Sequence, residues 1–399
     1  MLAACGGVGQ GQSQAVTLRL TWQAGYDKPI GALITDFEKA YPNIHVKVEF
    51  LPIATYGQVI QTEFQAGNGP DVLYGSPGSG NTNGLGLLEK AGKLADLSSE
   101  PFAASVTRDT LLWDGKRLYG LPVAAFPIGA LYNQAVFEGT GLTVPTTFSQ
   151  LLNVCHTLAS KGKVAIGLSG AAPNLFVAAL ASNYVYNQDP TWNTDRSAHK
   201  VSFATSPLWR QTLQRLVDLK SNGCFPAGVA GLQIPQAISM LASGQALMSL
   251  LPGDASASIS AGNPTVRMGM FPFPGDSAAS TSVPVAFGQA IGVNAASPHL
   301  KEAKQFVAFV ARPTKSKILA HYMGVPTISE YKQGTLTPLL SGLAPAIKAH
   351  HTTPYAALSF PNAAVYTDLG TESQGLLTGQ VSIDQALSAL DRAWDTGQP

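Results

Sequence analysis

The sequence predicts an α/β fold built on a parallel sheet flanked by helices. One observation supports this class, and a second indicates the size of the fold. Within the first 75 residues, strand-like segments alternate with segments whose apolar residues recur at helical spacing. This order is typical of parallel strands joined by crossover helices. The chain also has 399 residues, a length that corresponds to two or three domains' worth of core.

The first five elements follow one another as strand, helix, strand, helix and strand. Apolar residues alternate with polar ones in the first two strands and recur at helical spacing in the helices. The strands are Val16–Trp22, Ile44–Leu51 and Asp71–Tyr74, and the helices are Pro29–Tyr41 and Thr55–Ala66. Ligands of such sheets bind beyond the carboxyl ends of the strands. We therefore expect binding residues after Trp22, after Tyr74 and around Pro122.

Further elements are predicted along the rest of the chain. Asp114–Lys116 is a hairpin signal, Ala130–Asn133 is a short strand, and the Gly/Ser/Pro-rich segment Pro252–Val283 is an irregular connector. Ser382, with Gln385 three residues later, is typical of a helix start. The predicted helices are Phe148–Leu158, Leu175–Asn187, Leu208–Asn222, Ile234–Ser243, Glu302–Val310, Thr314–Tyr322 and a final run to Trp394.

Charged residues are scarce and balanced. Lys and Arg number 25 against 24 Asp and Glu, and charged residues make up 12% of the chain, about half the usual ~25%. Because 45% of residues are apolar, the composition argues against intrinsic disorder. A net charge of +1 gives no electrostatic case for binding nucleic acid or an anionic membrane surface. No run reaches the ~18–20 apolar residues that a membrane-spanning helix needs.

The amino terminus is similar to the end of a bacterial lipoprotein signal. Leu2 and two alanines precede Cys5, the residue that would carry the lipid, and a Gly/Gln/Ser-rich stretch of tether composition follows. We expect residues 1–15 to be an anchor and flexible tether that holds the protein on the outer face of the cell membrane. The alternative is a frayed terminus in which Cys5 has no role.

Two further cysteines, Cys155 and Cys224, remain. In an oxidising exported compartment they are able to pair, whereas buried free thiols in helical segments are equally common. The sequence leaves both possibilities open.

Motifs of enzyme chemistry are missing. The chain has no phosphate-binding P-loop, no Gly-x-Ser-x-Gly elbow, and no His-Glu-x-x-His or Cys-x-x-Cys zinc motif. The adjacent His350 and His351 point about 100° apart on a helix and are interpreted as surface-loop residues. We expect no enzyme activity, no cofactor and no metal.

Short stretches from residue 18 to residue 387 together resemble one protein family. They are Leu18–Gly25, Phe37–Lys39, Gly69–Val72, Gly115–Pro122, Leu131–Asn133, Gly288–Pro298, Glu302–Phe306, Gly324–Pro326 and Gly379–Leu387. In this order they resemble the extracellular solute-binding proteins of ABC importers, in the carbohydrate-binding, maltose-binding-protein-like group. The lipoprotein-like amino terminus agrees with this resemblance.

The resemblance implies a two-lobed periplasmic-binding-protein-like fold, each lobe a mainly parallel sheet flanked by helices, with a hinge of several crossings. Mapped onto this chain, lobe 1 takes residues 16–124 and 287–322, and lobe 2 takes residues 125–285 and 324–399. The lobes close on a ligand like jaws. The implied partners are a carbohydrate and the permease subunits with their ATPase, and we expect a monomer.

Sugar sites combine aromatic rings with hydrogen-bonding side chains. The candidate ligand-binding residues are Gln23, Tyr26, Asp27 and Lys28 after the first strand, Ser76, Ser79 and Asn81 after the third, and Asn174 and Tyr366 in the second lobe. Each has a plain alternative, either an exposed or mobile loop or, for Tyr366, the core. Trp22 is a sugar platform or a core residue.

Asp254 stands where the family usually has a Gly-Pro-Trp-like turn whose aromatic ring stacks on sugar. A carboxylate accepts hydrogen bonds from two hydroxyls or pairs with an amine, which favours small, polar or amino-bearing sugars, and Asp254 is a further candidate contact. A glycerophosphodiester or glycerol phosphate receptor is the alternative within the family. An enzyme that modifies carbohydrates is the alternative outside it.

Overall fold

A computed structural model describes residues 15–250, Ser256, Ile259 and residues 265–396. The strands are β1 Val16–Gln23, β2 Ile44–Leu51, β3 Val72–Gly75, β4 Trp113–Asp114, β5 Arg117–Leu118, β6 Ala124–Pro127, β7 Ala130–Asn133, β8 Val164–Ile166, β9 Ala246–Ser249, β10 Met268–Phe271, β11 Val283–Gly288, β12 Ala290–Val293 and β13 Thr352–Pro354.

Helices flank the sheets throughout. They are α1 Asp27–Ala40, α2 Ile53–Gln65, α3 Leu85–Lys90, α4 Gln134–Glu138, α5 Phe148–Ala159, α6 Asn174–Ala181, α7 Trp192–Ser197, α8 Pro207–Ser221, α9 Ile234–Ala242, α10 Leu300–Val310, α11 Pro313–Tyr322, α12 Ile328–Lys332, α13 Ala344–Lys348, α14 Ala363–Thr378 and α15 Ile383–Asp395. A π-helical turn, Ser182–Tyr186, continues α6.

The sheet of the first lobe has the strand order β12-β3-β1-β2. Strand β1 pairs in parallel with β2 over eight residues, from Val16 opposite Ile44 to Gln23 opposite Leu51, and in parallel with β3 on its other side. Strand β12 pairs antiparallel with β3. The expected alternation of strands and helices is confirmed here, because α1 and α2 connect the parallel strands as crossovers.

The sheet of the second lobe has the order β10-β7-β9-β8. Only β8 and β9 pair in parallel, and these strands are connected through helices α6 to α9. Strand β7 runs antiparallel to both of its neighbours. The α/β, two-lobed class is confirmed, but this sheet is mixed rather than mainly parallel.

Apolar side chains form a separate core in each lobe. The first core includes Leu18, Leu20 and Trp22 of β1 together with residues of α10 and α11. The second includes the aromatic residues Trp192, Trp209 and Trp394. A small sheet has the order β13-β11-β6, and in it β6 and β11 pair antiparallel. Ala124 of β6 belongs to the first core, and Val283 and Val285 of β11 belong to a third, smaller apolar cluster. The residues at which the chain crosses from one lobe to the other stay a prediction.

Most predicted elements agree with the structure. The helix bounds agree to within a few residues, and the capping box of Ser382 and Gln385 forms both of its hydrogen bonds. The connector prediction for Pro252–Val283 is wrong in part, since Met268–Phe271 forms β10 beside β7. Four residues carry too little periodicity to reveal a strand.

Cys155 and Cys224 form a disulfide, with Cα atoms 4.7 Å apart. It ties α5 to the chain that follows α8, and both residues are fully buried in the second core. Among the described residues, no helix is both long and apolar enough to cross a membrane.

Candidate functional site

Three chain segments meet at one edge of the first sheet. Strand β1 ends there at Gln23 and β3 ends there at Gly75. Since β12 is antiparallel to β3, its first residue, Ala290, lies opposite Gly75, and Gln289 comes to the same edge. A hydrogen bond of 3.1 Å from Gln289 Nε2 to the Tyr26 hydroxyl joins two of these segments.

The candidates after β1 divide into buried and exposed residues. Gln23 and Tyr26 are buried, and the ring of Tyr26 lies 5.8 Å from that of Tyr322. Asp27 and Lys28, in the first turn of α1, are exposed. The fully buried Trp22 packs its ring 5.3 Å from that of Tyr74. Trp22 is therefore a core residue rather than a sugar platform.

The loop after β3 is held by its own polar side chains. The Ser76 hydroxyl donates to Asn83 Oδ1 at 2.9 Å and accepts from Asn81 Nδ2 at 3.2 Å. Asn83 Nδ2 in turn donates to the Tyr74 hydroxyl at 3.4 Å. The Oδ1 atom of Asn81 is buried and has no hydrogen-bond partner within the described ranges. Hydroxyl and amide groups are thus organised at the end of β3.

The same loop contacts the second lobe. The backbone N–H groups of Ser79 and Gly80 both donate to the Leu358 carbonyl oxygen, at 3.2 and 3.3 Å. A Cβ atom on Gly80 would lie 1.7 Å from the Ala357 carbonyl oxygen, and one on Gly78 would lie 2.0 Å from that of Leu358. We call this contact, between residues 78–80 and residues 356–359, the latch. It forms at this separation because the loop has glycine where a side chain would hold the lobes apart.

Two of the candidates in the second lobe lie near the latch. Asn174 begins α6, and its Nδ2 donates to the Tyr366 carbonyl oxygen at 3.5 Å. The Tyr366 hydroxyl lies 3.1 Å from that of Tyr355, which precedes Leu358 of the latch by three residues. Burial raises the pKa of Tyr366 to about 12, and burial also raises the pKa of Tyr355. Both phenols are therefore protonated at neutral pH and are able to donate as well as accept hydrogen bonds.

The structure therefore arranges the candidates in three groups. Gln23 and Tyr26 lie at the end of β1, and Ser76, Ser79 and Asn81 lie in the loop after β3. Asn174 and Tyr366 contact each other in the second lobe. Asp254 and Cys5 lie outside the described residues.

Two polar residues near these groups were not predicted, Gln289 and Tyr355. Gln289 follows the last residue of β11, and a lone amide between two apolar strands was its only signal in the sequence. Tyr355 had none, because its contact with Tyr366 depends on how the chain packs after β13.

The candidate residues carry almost no full charge. Among those in the described ranges, only Asp27 and Lys28 have charged side chains, and both are exposed. No group of three or more His, Cys, Asp or Glu residues suited to a metal ion occurs in the part of the chain that the structure describes. The arrangement suits an uncharged ligand that is rich in hydrogen-bonding groups.

A two-lobed α/β fold of this kind is typical of solute-binding proteins. The sequence profile of the bacterial extracellular solute-binding protein family matches residues 21–316, and the chain belongs to that family. The resemblance stated from the sequence is confirmed at this level.

Two relatives and one solved structure are similar to this chain over most of its length. The multiple sugar-binding protein of Streptococcus mutans is 24% identical over 355 residues, which cover 85% of this chain and 83% of the relative. The melibiose/raffinose/stachyose-binding protein MelE of Bacillus subtilis is 24% identical over 315 residues, 74% of this chain and 69% of the relative. The solved structure of RafE in complex with raffinose shares the fold, with a TM-score of 0.77, 23% identity and coverage of 96% of this chain and 99% of that one.

Proposed function

We propose that this protein is the sugar-binding component of an ABC importer. It captures a neutral oligosaccharide between its lobes and delivers it to the permease subunits of the transporter. The observation that carries the proposal is the latch itself, where the loop that contains Ser76, Asn81 and Asn83 contacts the second lobe at Leu358. Tyr355, three residues before Leu358, has its hydroxyl 3.1 Å from that of Tyr366, so uncharged hydroxyl, amide and phenol groups belong to the segments that carry this contact.

The chemistry of these groups supports a sugar. A sugar offers many hydroxyls that both donate and accept, and serine, amide and protonated tyrosine side chains match them without a net charge. A phosphate group would instead require converging Arg or Lys side chains. Of the candidate residues in the described ranges, only Lys28 is a cation. The glycerophosphodiester alternative therefore has less support than a neutral sugar.

The relatives support an oligosaccharide in particular. The name of one relative includes melibiose, raffinose and stachyose, and a neighbouring structure holds raffinose. The expectation of a small or amino-bearing sugar depended on Asp254, which lies outside the described residues. Raffinose is therefore the first ligand to test, and an amino sugar is the contrasting one.

Ligand binding would work through lobe closure and without covalent chemistry. A ligand that contacts both lobes binds more tightly to the closed state and shifts the population toward it. The closed form then presents a joined surface of both lobes to the permease. We propose that Cys5 carries the lipid that keeps this monomeric receptor at the outer face of the membrane.

Isothermal titration calorimetry against a ligand panel tests the proposal. The panel contains raffinose, stachyose, melibiose, maltose, glucosamine and a glycerophosphodiester. We expect at least one neutral oligosaccharide to bind with a micromolar or lower Kd, and to be recovered unchanged after incubation. Binding of the glycerophosphodiester alone would overturn the neutral-sugar proposal, and conversion of a bound sugar to product would show an enzyme.

A further inference from the structure

The backbone at Gln289 adopts a conformation that its residue type rarely takes. Gln289 joins β11 to β12 with a φ of +54°, and among the described residues the other non-glycine residues with positive φ are Leu111, His199 and His350. Left-handed backbone strains any residue with a Cβ, and Asn tolerates it better than Gln. Such strain concentrates at functional sites. A turn made only to join two strands would be better served by Gly or Asn.

Among the described residues, the buried side-chain amide of Gln289 also has only one of its two polar atoms hydrogen-bonded. Gln289 is 8% exposed, and its Nε2 donates to the Tyr26 hydroxyl at 3.1 Å. Its Oε1 has no hydrogen-bond partner anywhere in the described part of the chain. A buried polar atom without a partner destabilises the folded protein, so two unfavourable features coincide at one residue.

The register of the sheet places Gln289 among the candidate ligand residues. Ala290 lies opposite Gly75, so Gln289 reaches the sheet edge at the level of Ser76, where the hydrogen-bonded loop begins. Tyr26, which holds the Gln289 amide, follows β1 at the same edge. The amide is thus fixed on one side and lies at the point where the ends of β1 and β3 meet.

We propose that Gln289 is a ligand-contacting residue that selects for a hydroxyl group. Its Oε1 accepts a hydrogen bond from a sugar hydroxyl, while Tyr26 holds Nε2 and so fixes the orientation of the amide. A neutral acceptor attracts an O–H donor and offers nothing to a phosphate oxygen, which itself only accepts. A buried acceptor also rejects an analogue that lacks the hydroxyl, because the oxygen then stays unpaired. This inference rests on the proposed sugar-binding function.

Two substitutions separate the ligand contact from a structural role. Gln289→Met keeps the length of the side chain and removes both amide atoms. Gln289→Asn keeps the amide, suits positive φ better, and is one methylene too short to reach Tyr26 and a ligand together. The matched control is His199→Asn. It also places Asn at a residue with positive φ, but at an exposed position.

Calorimetric titration with raffinose, together with the Tm of each sugar-free protein, tests the inference. We expect the Kd of both Gln289 variants to rise about tenfold, the effect of one lost hydrogen bond to a ligand. Their Tm should stay within about 3 °C of the wild type, and His199→Asn should bind as the wild type does.

Other results would overturn the inference. A Kd within twofold of the wild type for both variants would remove Gln289 from the site and leave the sugar-binding proposal intact. A fall in Tm of more than about 5 °C in both variants would make Gln289 a structural residue. A wild-type protein that binds raffinose and every other sugar of the panel too weakly to detect would overturn the proposed function and this inference together.

Discussion

The lobes meet through two sets of contacts that are built in opposite ways. In one set, which we call the hinge side, β6 and β11 pair from Ala124–Gly288 to Pro127–Val285. The Ala125 N–H group also donates to the Pro326 carbonyl oxygen at 3.0 Å. The other set is the latch, in which two backbone hydrogen bonds go to one carbonyl group, that of Leu358.

The difference suggests that stability and ligand affinity depend on different parts of the molecule. We expect the paired strands to keep the hinge side together. We expect the latch to open, because two backbone hydrogen bonds hold it and its closeness depends on glycine. We therefore expect changes within a lobe or on the hinge side, away from Gln289 and the candidate ligand residues, to alter stability, and changes at the latch to alter ligand affinity.

The largest effect is expected from removing the disulfide inside the second lobe. The double substitution Cys155→Ala and Cys224→Ala opens a loop of 69 residues, which should lower the free energy of unfolding by about 4 kcal/mol. Urea unfolding with and without reductant measures it. The Kd for sugar, taken at a temperature where the variant is folded, should change less than threefold. Loss of binding by the folded variant would mean that a change inside a lobe alters ligand affinity as well as stability.

At the latch, Gly80→Ala should weaken sugar binding about thirtyfold, equivalent to about 2 kcal/mol. The added methyl group would lie 1.7 Å from the Ala357 carbonyl oxygen, so the lobes would have to stay further apart. Calorimetry measures the change in Kd.

Gly31→Ala is the matched control for this substitution. Gly31 lies in α1, and a Cβ there meets no atom within 4 Å. It should leave the Kd unchanged and keep or raise the Tm, since Ala stabilises a helix relative to Gly. Equal affinities for Gly80→Ala and Gly31→Ala would show that the latch has no part in binding.

On the hinge side, Glu330 gives a pH-dependent effect. Burial raises its pKa, but the N–H group of Thr327 and the side chains of His321 and Lys317 outweigh burial and bring the pKa to about 2, from an ordinary 4.5. The ionised group is thus favoured in the folded state. Its contribution is complete above pH 4.5 and is lost as the pH falls toward 2.

Glu330→Gln should therefore lower the free energy of unfolding by about 2 kcal/mol at pH 7, and by much less near pH 2. Urea unfolding at several pH values measures this, and sugar affinity at pH 7 should change less than twofold. The hinge-side assignment would fail if affinity fell while stability stayed the same.

The smallest effect is expected at Lys90. Its Nζ donates to the Pro361 carbonyl oxygen at 2.9 Å, a second contact near the latch, and the side chain is exposed. Lys90→Met should weaken binding about twofold, because exposed hydrogen bonds contribute little. A tenfold loss in the titration would show that the latch depends on side chains rather than on glycine.

Much of the fold of the first lobe, and the family of the protein, could be predicted from the sequence. Local hydrophobic periodicity and the Gly and Pro residues that end helices predict β1, α1, β2, α2 and β3, since each element is specified by its own residues. The loop after β3 stays a predicted site, because carboxyl strand ends carry ligands in such sheets. The structure shows a hydrogen-bonded cluster of Ser76, Asn81 and Asn83 in this loop.

The rest depends on contacts between distant segments. Strand β10 is defined by its partner β7, more than 130 residues earlier. Gln289 meets Tyr26 across 263 residues of sequence, and the latch joins residues 78–80 to Leu358. No local pattern reports such pairs, because they follow from how the lobes pack and not from the propensity of either segment.

Small-angle X-ray scattering of the wild type and of Gly80→Ala, each with and without saturating raffinose, tests the central claim most directly. If the sugar closes the lobes through the latch, the radius of gyration of the wild type falls on adding raffinose. Gly80→Ala should then remain larger than the wild type at saturating sugar. Identical scattering of the two proteins in the presence of bound raffinose would contradict the account.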